Sequence, residues 1–166
     1  MALLGLALQP SFFPLAPGHR WVLREVDKGS ATTISIRKGL VLHGFPGASD
    51  LRVRRVGQAV QAWDTKDRRW EAWFRFGLPV GRRYTVRLAA TGPWQAVEVG
   101  VASKTATVRD YSGKKRRGCT RFVFKQLGPV ADAGLIEMAF CPRVGPVRYS
   151  ETTIAGPRTF ALVRFN

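Results

Sequence analysis

The sequence predicts an all-β protein, a curved antiparallel sheet or partial barrel of about ten to twelve short strands. Three observations lead there. Apolar and polar residues alternate in run after run, the two-residue period of a strand with one buried face. No stretch sustains a helical apolar period over about a dozen residues, so amphipathic helices are not expected. The 17 Gly and 10 Pro are spread along the whole chain and break it at short intervals, as turns do.

Ser11 to Gly18, SFFPLAPG, is a Pro-punctuated lead-in. Arg20 to Val26 follows as the first strand, with Trp21 and Leu23 on one face. The turn DKGS leads to Ala31 to Arg37, where Thr32, Ile34 and Ile36 alternate with Thr33, Ser35 and Arg37, an interval that fits a hairpin. Gly39 to His43 is a short apolar run that ends in the loop GFPGASD. Leu51 to Val56 and Gln58 to Asp64 read as two strands joined through Gly57. After TKDRR, Trp70 to Phe76 sets Trp70, Ala72, Phe74 and Phe76 against Glu71, Trp73 and Arg75. A Pro/Gly break at Leu78 to Arg82 precedes Arg83 to Ala89, with Tyr84, Val86 and Leu88 in phase. Beyond TGP, Trp94 to Val101 carries Val97, Val99 and Val101 on one face, and Thr105 to Arg109 is a further short strand. Asp110 to Gly118, DYSGKKRRG, reads as a basic loop. Near the C-terminus, Val147 to Tyr149 and Thr159 to Phe165 are the last extended runs.

Between these lies the most informative stretch, Cys119 to Cys141. Cys119 to Gln126 places Thr120, Phe122 and Phe124 on one face, and Gly134 to Cys141 places Ile136, Met138 and Phe140 on one face, with Gly128 and Pro129 as turn formers between them. Paired so that apolar faces meet, Phe122 lies opposite Met138, Phe124 opposite Ile136 and Val123 opposite Glu137. A slip of one residue turns one apolar face to water, which constrains this register. The same register sets Cys119 opposite Cys141, the two cysteines of the chain, at a separation a disulfide spans. A Cys119–Cys141 bridge is therefore expected, the alternative being two free thiols on adjacent strands.

A disulfide implies an oxidising compartment, hence an extracytoplasmic location in periplasm, cell envelope or medium. Residues 1–10, MALLGLALQP, read either as the remnant of a secretory signal or as an apolar N-terminal tail ahead of a single all-β domain over residues 11–166. The run is too short to span a bilayer. A net charge of +16 attracts polyanions, whether nucleic acid, an anionic lipid surface or acidic envelope polymer.

Three segments carry a resemblance. SFFPLAPGHRWVLREV followed by a Thr/Ser-rich strand resembles the opening of a group of bacterial extracytoplasmic domains of unknown function, and FCPRVGPVRYSE is similar to that group's closing motif. GLPVGRRYTV, from Gly77 to Val86, resembles its middle motif. The resemblance implies a secreted or lipid-anchored domain with a lipoprotein-carrier-like (LolA-like) half-barrel, and it brings no catalytic residues. The lipobox cysteine expected near the N-terminus of a lipid-anchored member is not among residues 1–10.

No catalytic constellation stands out, and a non-enzymatic module is expected. LVLHGFPGASD resembles the oxyanion-loop segment of α/β-hydrolases, but that chemistry needs a G-x-S-x-G nucleophile elbow, which the chain lacks. His19, His43 and the two cysteines match no zinc spacing, so neither metal nor other cofactor is expected. The expected role is a binding or structural module of the cell envelope whose basic surface engages anionic polymer or lipid through Arg52, Arg54, Arg55, Arg68, Arg69, Lys114, Lys115, Arg116 and Arg117. Two alternatives stay open. One is a carrier holding a lipid or other apolar ligand in a concave sheet, with Trp70, Phe74, Phe122, Phe124, Met138 and Phe140 lining the groove. The other is a single-stranded nucleic-acid binder in which Trp63, Trp70 and Trp73 stack bases beside the cations. Other envelope subunits are further candidate partners, since an exposed strand edge supports assembly.

Overall fold

A computed structural model of the chain describes residues 11–89, 96–128 and 134–166. The N-terminal apolar run, the TGP turn with Trp94, and Pro129 of the expected hairpin turn lie outside the described residues. The described chain is all-β: β1 (Arg20–Glu25), β2 (Ala31–Arg37), β3 (Val41–His43), β4 (Leu51–Val56), β5 (Ala59–Asp64), β6 (Arg69–Arg75), β7 (Arg83–Arg87), β8 (Ala96–Arg109), β9 (Lys115–Gln126), β10 (Gly134–Cys141), β11 (Gly145–Thr153) and β12 (Gly156–Phe165).

Every pairing is antiparallel, and the strands form a 12-stranded sheet in the order β6-β5-β4-β3-β2-β1-β12-β11-β10-β9-β8-β7. Except for β6 and β7, strands adjacent in sequence pair with one another, and the first and last strands also pair, Glu25 opposite Phe160 and Leu23 opposite Leu162. The break in the ladder falls in mid-chain, between β6 and β7. The sheet curls until these two edges approach, giving a nearly closed barrel. Across that seam the Tyr84 hydroxyl donates to the Trp73 carbonyl (2.9 Å) and accepts from the Arg75 N–H (3.1 Å). Buried Asp64, at the end of β5, accepts from the backbone N–H of Ala89 beyond β7 (3.2 Å).

The interior is aromatic because the inward phase of most strands is aromatic or aliphatic. Trp21, Phe74, Phe122, Phe140, Leu23, Ile34 and Met138 are fully buried. The lead-in closes one end of the barrel, where Phe13 packs 5.4 Å from Trp21 and 5.2 Å from Phe140, centroid to centroid. Each such ring contributes about 3–5 kcal/mol relative to alanine.

The central hairpin has the expected register, with Glu137 opposite Val123 and Met138 opposite Phe122. One rung beyond Phe140 and Thr120, Cys119 and Cys141 are disulfide-bonded, with Cα atoms 4.1 Å apart. The bridge lies on the outer face, the side of Arg121 and Ala139.

The structure departs from the sequence expectations where bulges break the alternation. A shift between Val60 and Gln61 in the β5–β6 ladder turns both Trp73 and Phe74 inward and leaves Trp70 on the outer face opposite Trp63. A shift between Leu135 and Glu137 leaves Ile136 exposed, so Phe124 does not face it in the β9–β10 ladder. The expected strands at 94–101 and 105–109 are one 14-residue strand, bent at three register shifts. The expected basic loop is mostly strand: β9 begins at Lys115, and the turn shrinks to a few residues around Asp110, whose carboxylate accepts from the Ser112 hydroxyl (2.7 Å) and the Lys114 N–H (3.1 Å).

Candidate functional site

The aromatic packing fills one part of the barrel and stops short of the other. Where it stops, a cavity of about 440 Å³ opens, lined by Phe45, Trp73, Val86, Val97, Val99, Phe124 and Leu135 on its apolar side and by Gln126, Glu151, Thr152 and Thr153 on its polar side. Facing pairs build the wall: Val97 opposite both Val86 and Gln126, and Val99 opposite Phe124. Trp73 on β6 and Val86 on β7 come from the two unpaired edges, so the cavity abuts the seam.

Phe45 is delivered by the loop between β3 and β4. Gly44 turns the chain at φ 71°, so close to β2 that an added Cβ would lie 2.1 Å from the Thr33 carbonyl oxygen. Phe45 thereby enters the interior and meets Trp73 edge-on at 4.5 Å. Asp50 closes the neck of the loop, with its carboxylate 2.7 Å from His43 Nδ1 and 3.3 Å from the Arg37 guanidinium. The His-Gly segment is thus a structural turn that frames the cavity.

The polar side carries charge. Glu151 lies on the inward phase of β11, two residues after Tyr149, and faces Leu135 on β10 and Arg158 on β12. Burial pushes its carboxyl above the ordinary range, Arg158 opposes that, and Glu25 adds to it. Arg158 itself lies 3.3 Å from Glu25, whose carboxylate also accepts from the Ser30 hydroxyl. The Ser30 hydrogen bond holds Glu25 below the usual carboxylate range against burial, with help from Arg158. Tyr149 stacks on Phe160 at 4.7 Å, and burial raises its phenol. One wall is therefore greasy, and the other presents a carboxyl that holds its proton to higher pH than an exposed glutamate.

Of the expected groove residues, Phe124 lines this cavity. Phe74, Phe122, Met138 and Phe140 are fully buried and fill the barrel. Trp70 lies outside, beneath the Arg54 guanidinium at 4.2 Å and edge-on to Trp63 at 5.5 Å. Trp73 is in the wall, so the three tryptophans do not form one stacking platform. Phe45, Leu135, Trp73 and Glu151 were not legible from alternation. Bulges shift Trp73 and Leu135, and the inward phase of Glu151 follows from that of Tyr149 once β11 is known to extend to Thr153.

The expected cationic residues separate into groups. Arg52 and Arg54 lie on the outer face of β4, Arg55 follows at its end, and Arg68 and Arg69 lie at the β5–β6 turn. Lys114 to Arg117 enter β9, at the other side of the sheet order. Two of them are paired: Arg69 with Asp67 (3.6 Å) and Glu71 (3.5 Å), and Arg116 with Asp110 (3.1 Å). Among the described residues no group of three or more His, Cys, Asp or Glu side chains is placed to hold a metal ion.

No protein-family model matches the chain, and no curated protein matches it. Similar solved structures include a Bacteroides fragilis protein described by inference as exported and of YmcC-like fold, 11% identical, covering 95% of this chain and 99% of that one at a TM-score of 0.48. A Parabacteroides distasonis protein described by inference as a lipoprotein is 10% identical over 95% of this chain and 99% of that one, at a TM-score of 0.45.

Proposed function

We propose that this protein is an extracytoplasmic binding module, not an enzyme, that takes the apolar part of an amphiphile into the end of its barrel and meets the polar part at Glu151. The carrying observation is the cavity of about 440 Å³, apolar on the side of Trp73, Val99, Phe124 and Leu135 and acidic on the side of Glu151. Its size falls in the range of small-molecule sites, and a few polar groups set in an apolar lining are what fix a ligand's orientation. The Glu151 carboxyl offers hydrogen-bonding oxygens to a hydroxyl or amide at the polar side of an otherwise apolar lining. The Cys119–Cys141 disulfide supports the extracytoplasmic assignment. The lipid-carrier half-barrel that the sequence motifs resemble provides a functional analogue for such a cavity.

Native mass spectrometry of the protein purified without detergent tests the reading. The expected result is a stoichiometric adduct, lost on organic extraction, whose fragments include an acyl or other apolar chain. Apo protein that also fails to take up added long-chain alcohols or monoglycerides would overturn it.

A further inference from the structure

The strand order lines up charges that are far apart in the sequence. Arg24 on β1 faces Ala161 on β12, Ala161 faces Arg148 on β11, Arg148 faces Ala139 on β10, and Ala139 faces Arg121 on β9. Arginine and alanine thus alternate in one row across five strands on the outer face, opposite in phase to the buried Tyr149, Met138 and Phe122. Successive arginines are two strand spacings apart, about 10 Å. Ala139 forms the floor between Arg121 and Arg148, while Ala161, between Arg148 and Arg24, is fully buried.

A wall stands over part of this row. Beyond Arg121 the β8–β9 hairpin runs on as an arm and folds back across the sheet: the Tyr111 N–H donates to the Leu162 carbonyl of β12 (2.9 Å), and the Arg24 guanidinium lies 5.4 Å from the Tyr111 ring centroid. Arm and sheet enclose a trough of about 390 Å³, with Arg109 on the arm side, Arg121 and Arg148 on the sheet side, and Glu137 as the one acidic residue among the described residues that line it. The Cys119–Cys141 disulfide joins β9 and β10 at the root of the arm. Glu137 stands 4.0 Å from Arg121, while among the described residues no carboxylate forms an ion pair with Arg148 or Arg24.

We propose that this trough binds a linear acidic polymer, whose phosphate, sulfate or carboxylate groups are taken by Arg121, Arg148 and Arg109, the three arginines that line it. Three observations select that partner. Guanidinium groups recognise such anions through paired N–H donors, and three of them lining one trough match charges repeated along a chain. A concave strip under an arm admits a strand and excludes the plane of a membrane. Single-stranded nucleic acid needs exposed rings for its bases to stack on, and among the described residues no aromatic side chain lines the trough. The site is separate from the cavity, which lies on the inner face.

Fluorescence anisotropy with labelled linear polyphosphate, at near-physiological ionic strength, tests the assignment. The double variant Arg121→Gln/Arg148→Gln is expected to weaken binding by about tenfold or more, and Arg52→Gln/Arg82→Gln, with the same loss of charge elsewhere, by less than about twofold. Glu137→Gln, which removes the competing carboxylate, is expected to tighten binding. Equal losses in the two double variants would show a response to net charge alone and overturn the proposal. So would no binding by the wild type, tighter binding to single-stranded DNA of matched charge than to polyphosphate, or weaker binding by Glu137→Gln.

Discussion

The Tyr84 hydroxyl donates to the Trp73 carbonyl across the one gap in the strand order, at 2.9 Å, and the same oxygen accepts from the Arg75 N–H. A side chain thus takes the place of a backbone rung between β6 and β7. Burial raises the phenol well above its ordinary value, so it stays a donor throughout the physiological range. Tyr84→Phe leaves a buried carbonyl and N–H without this partner and is expected to cost about 1–3 kcal/mol. Hydrogen exchange of the Arg75 amide should accelerate more than that of the Met138 amide, deep in the continuous ladder. Uniform acceleration would mean that the seam opens only with the whole barrel.

The disulfide closes a loop between residues 22 apart in sequence. Cross-linking a loop of that size removes unfolded-state entropy equivalent to about 3 kcal/mol in the chain-entropy model. Reduction, or Cys119→Ala/Cys141→Ala, is expected to lower unfolding stability by about that amount without loss of β-sheet circular dichroism. Both cysteines are buried, on the face of β9 and β10 opposite Phe122 and Phe140, so the aromatic interior is expected to survive loss of the bridge. Collapse of the sheet on reduction would contradict this division.

Gly44 has no room for a methyl group. An alanine Cβ would lie 2.1 Å from the Thr33 carbonyl oxygen, on a backbone at φ 71° that disfavours side chains. Gly44→Ala is expected to cost about 3 kcal/mol or more, by displacing the loop that seats Phe45 against Trp73. Gly47 also has positive φ but open space beside it, so Gly47→Ala should cost about 1 kcal/mol, from backbone strain alone. Chemical denaturation of the two variants checks the difference.

Glu151 and Glu25 face the same Arg158 and should respond to pH in opposite directions. Burial raises the Glu151 pKa above 4.5, so its contribution to stability is fully present below that pH and is lost as pH rises through the folded value. Glu25 is held below 4.5, chiefly by Ser30, so its contribution is present above that pH and fades as pH falls through the folded value. Glu151→Gln should therefore gain on wild type as pH rises above about 4.5, whereas the deficit of Glu25→Gln should shrink as pH falls below about 4.5. Urea midpoints on both sides of that pH check both signs.

Alternation and register made much of this architecture readable. Strand β2 and strand β10 have the expected limits, and the facing of Phe122 and Met138 that locates the disulfide followed from keeping apolar faces together. What alternation cannot register is an extra residue. The bulges near Trp73 and Ile136 each reverse the facing of their neighbours, and they decide which side chains reach the cavity. The sequence likewise gave no hint that Arg24, Arg148 and Arg121 share a row, because that depends on which strands are adjacent and on β1 pairing with β12. Runs such as Lys114 to Arg117 stand out in the sequence because they are contiguous, whereas a strand face collects its charges from several segments of the chain.

The central claim is that the end of the barrel is a ligand site and not a packing defect. Leu135 lines it and is only partly buried, so Leu135→Trp should fill the space with little strain on the fold. Titration of a long-chain monoglyceride, followed by isothermal calorimetry below its critical micelle concentration, is the direct measurement. The account predicts saturable one-to-one binding by the wild type, lost by about tenfold or more in Leu135→Trp at an unchanged unfolding midpoint. Equal binding by the two proteins, or no binding by either, would contradict it.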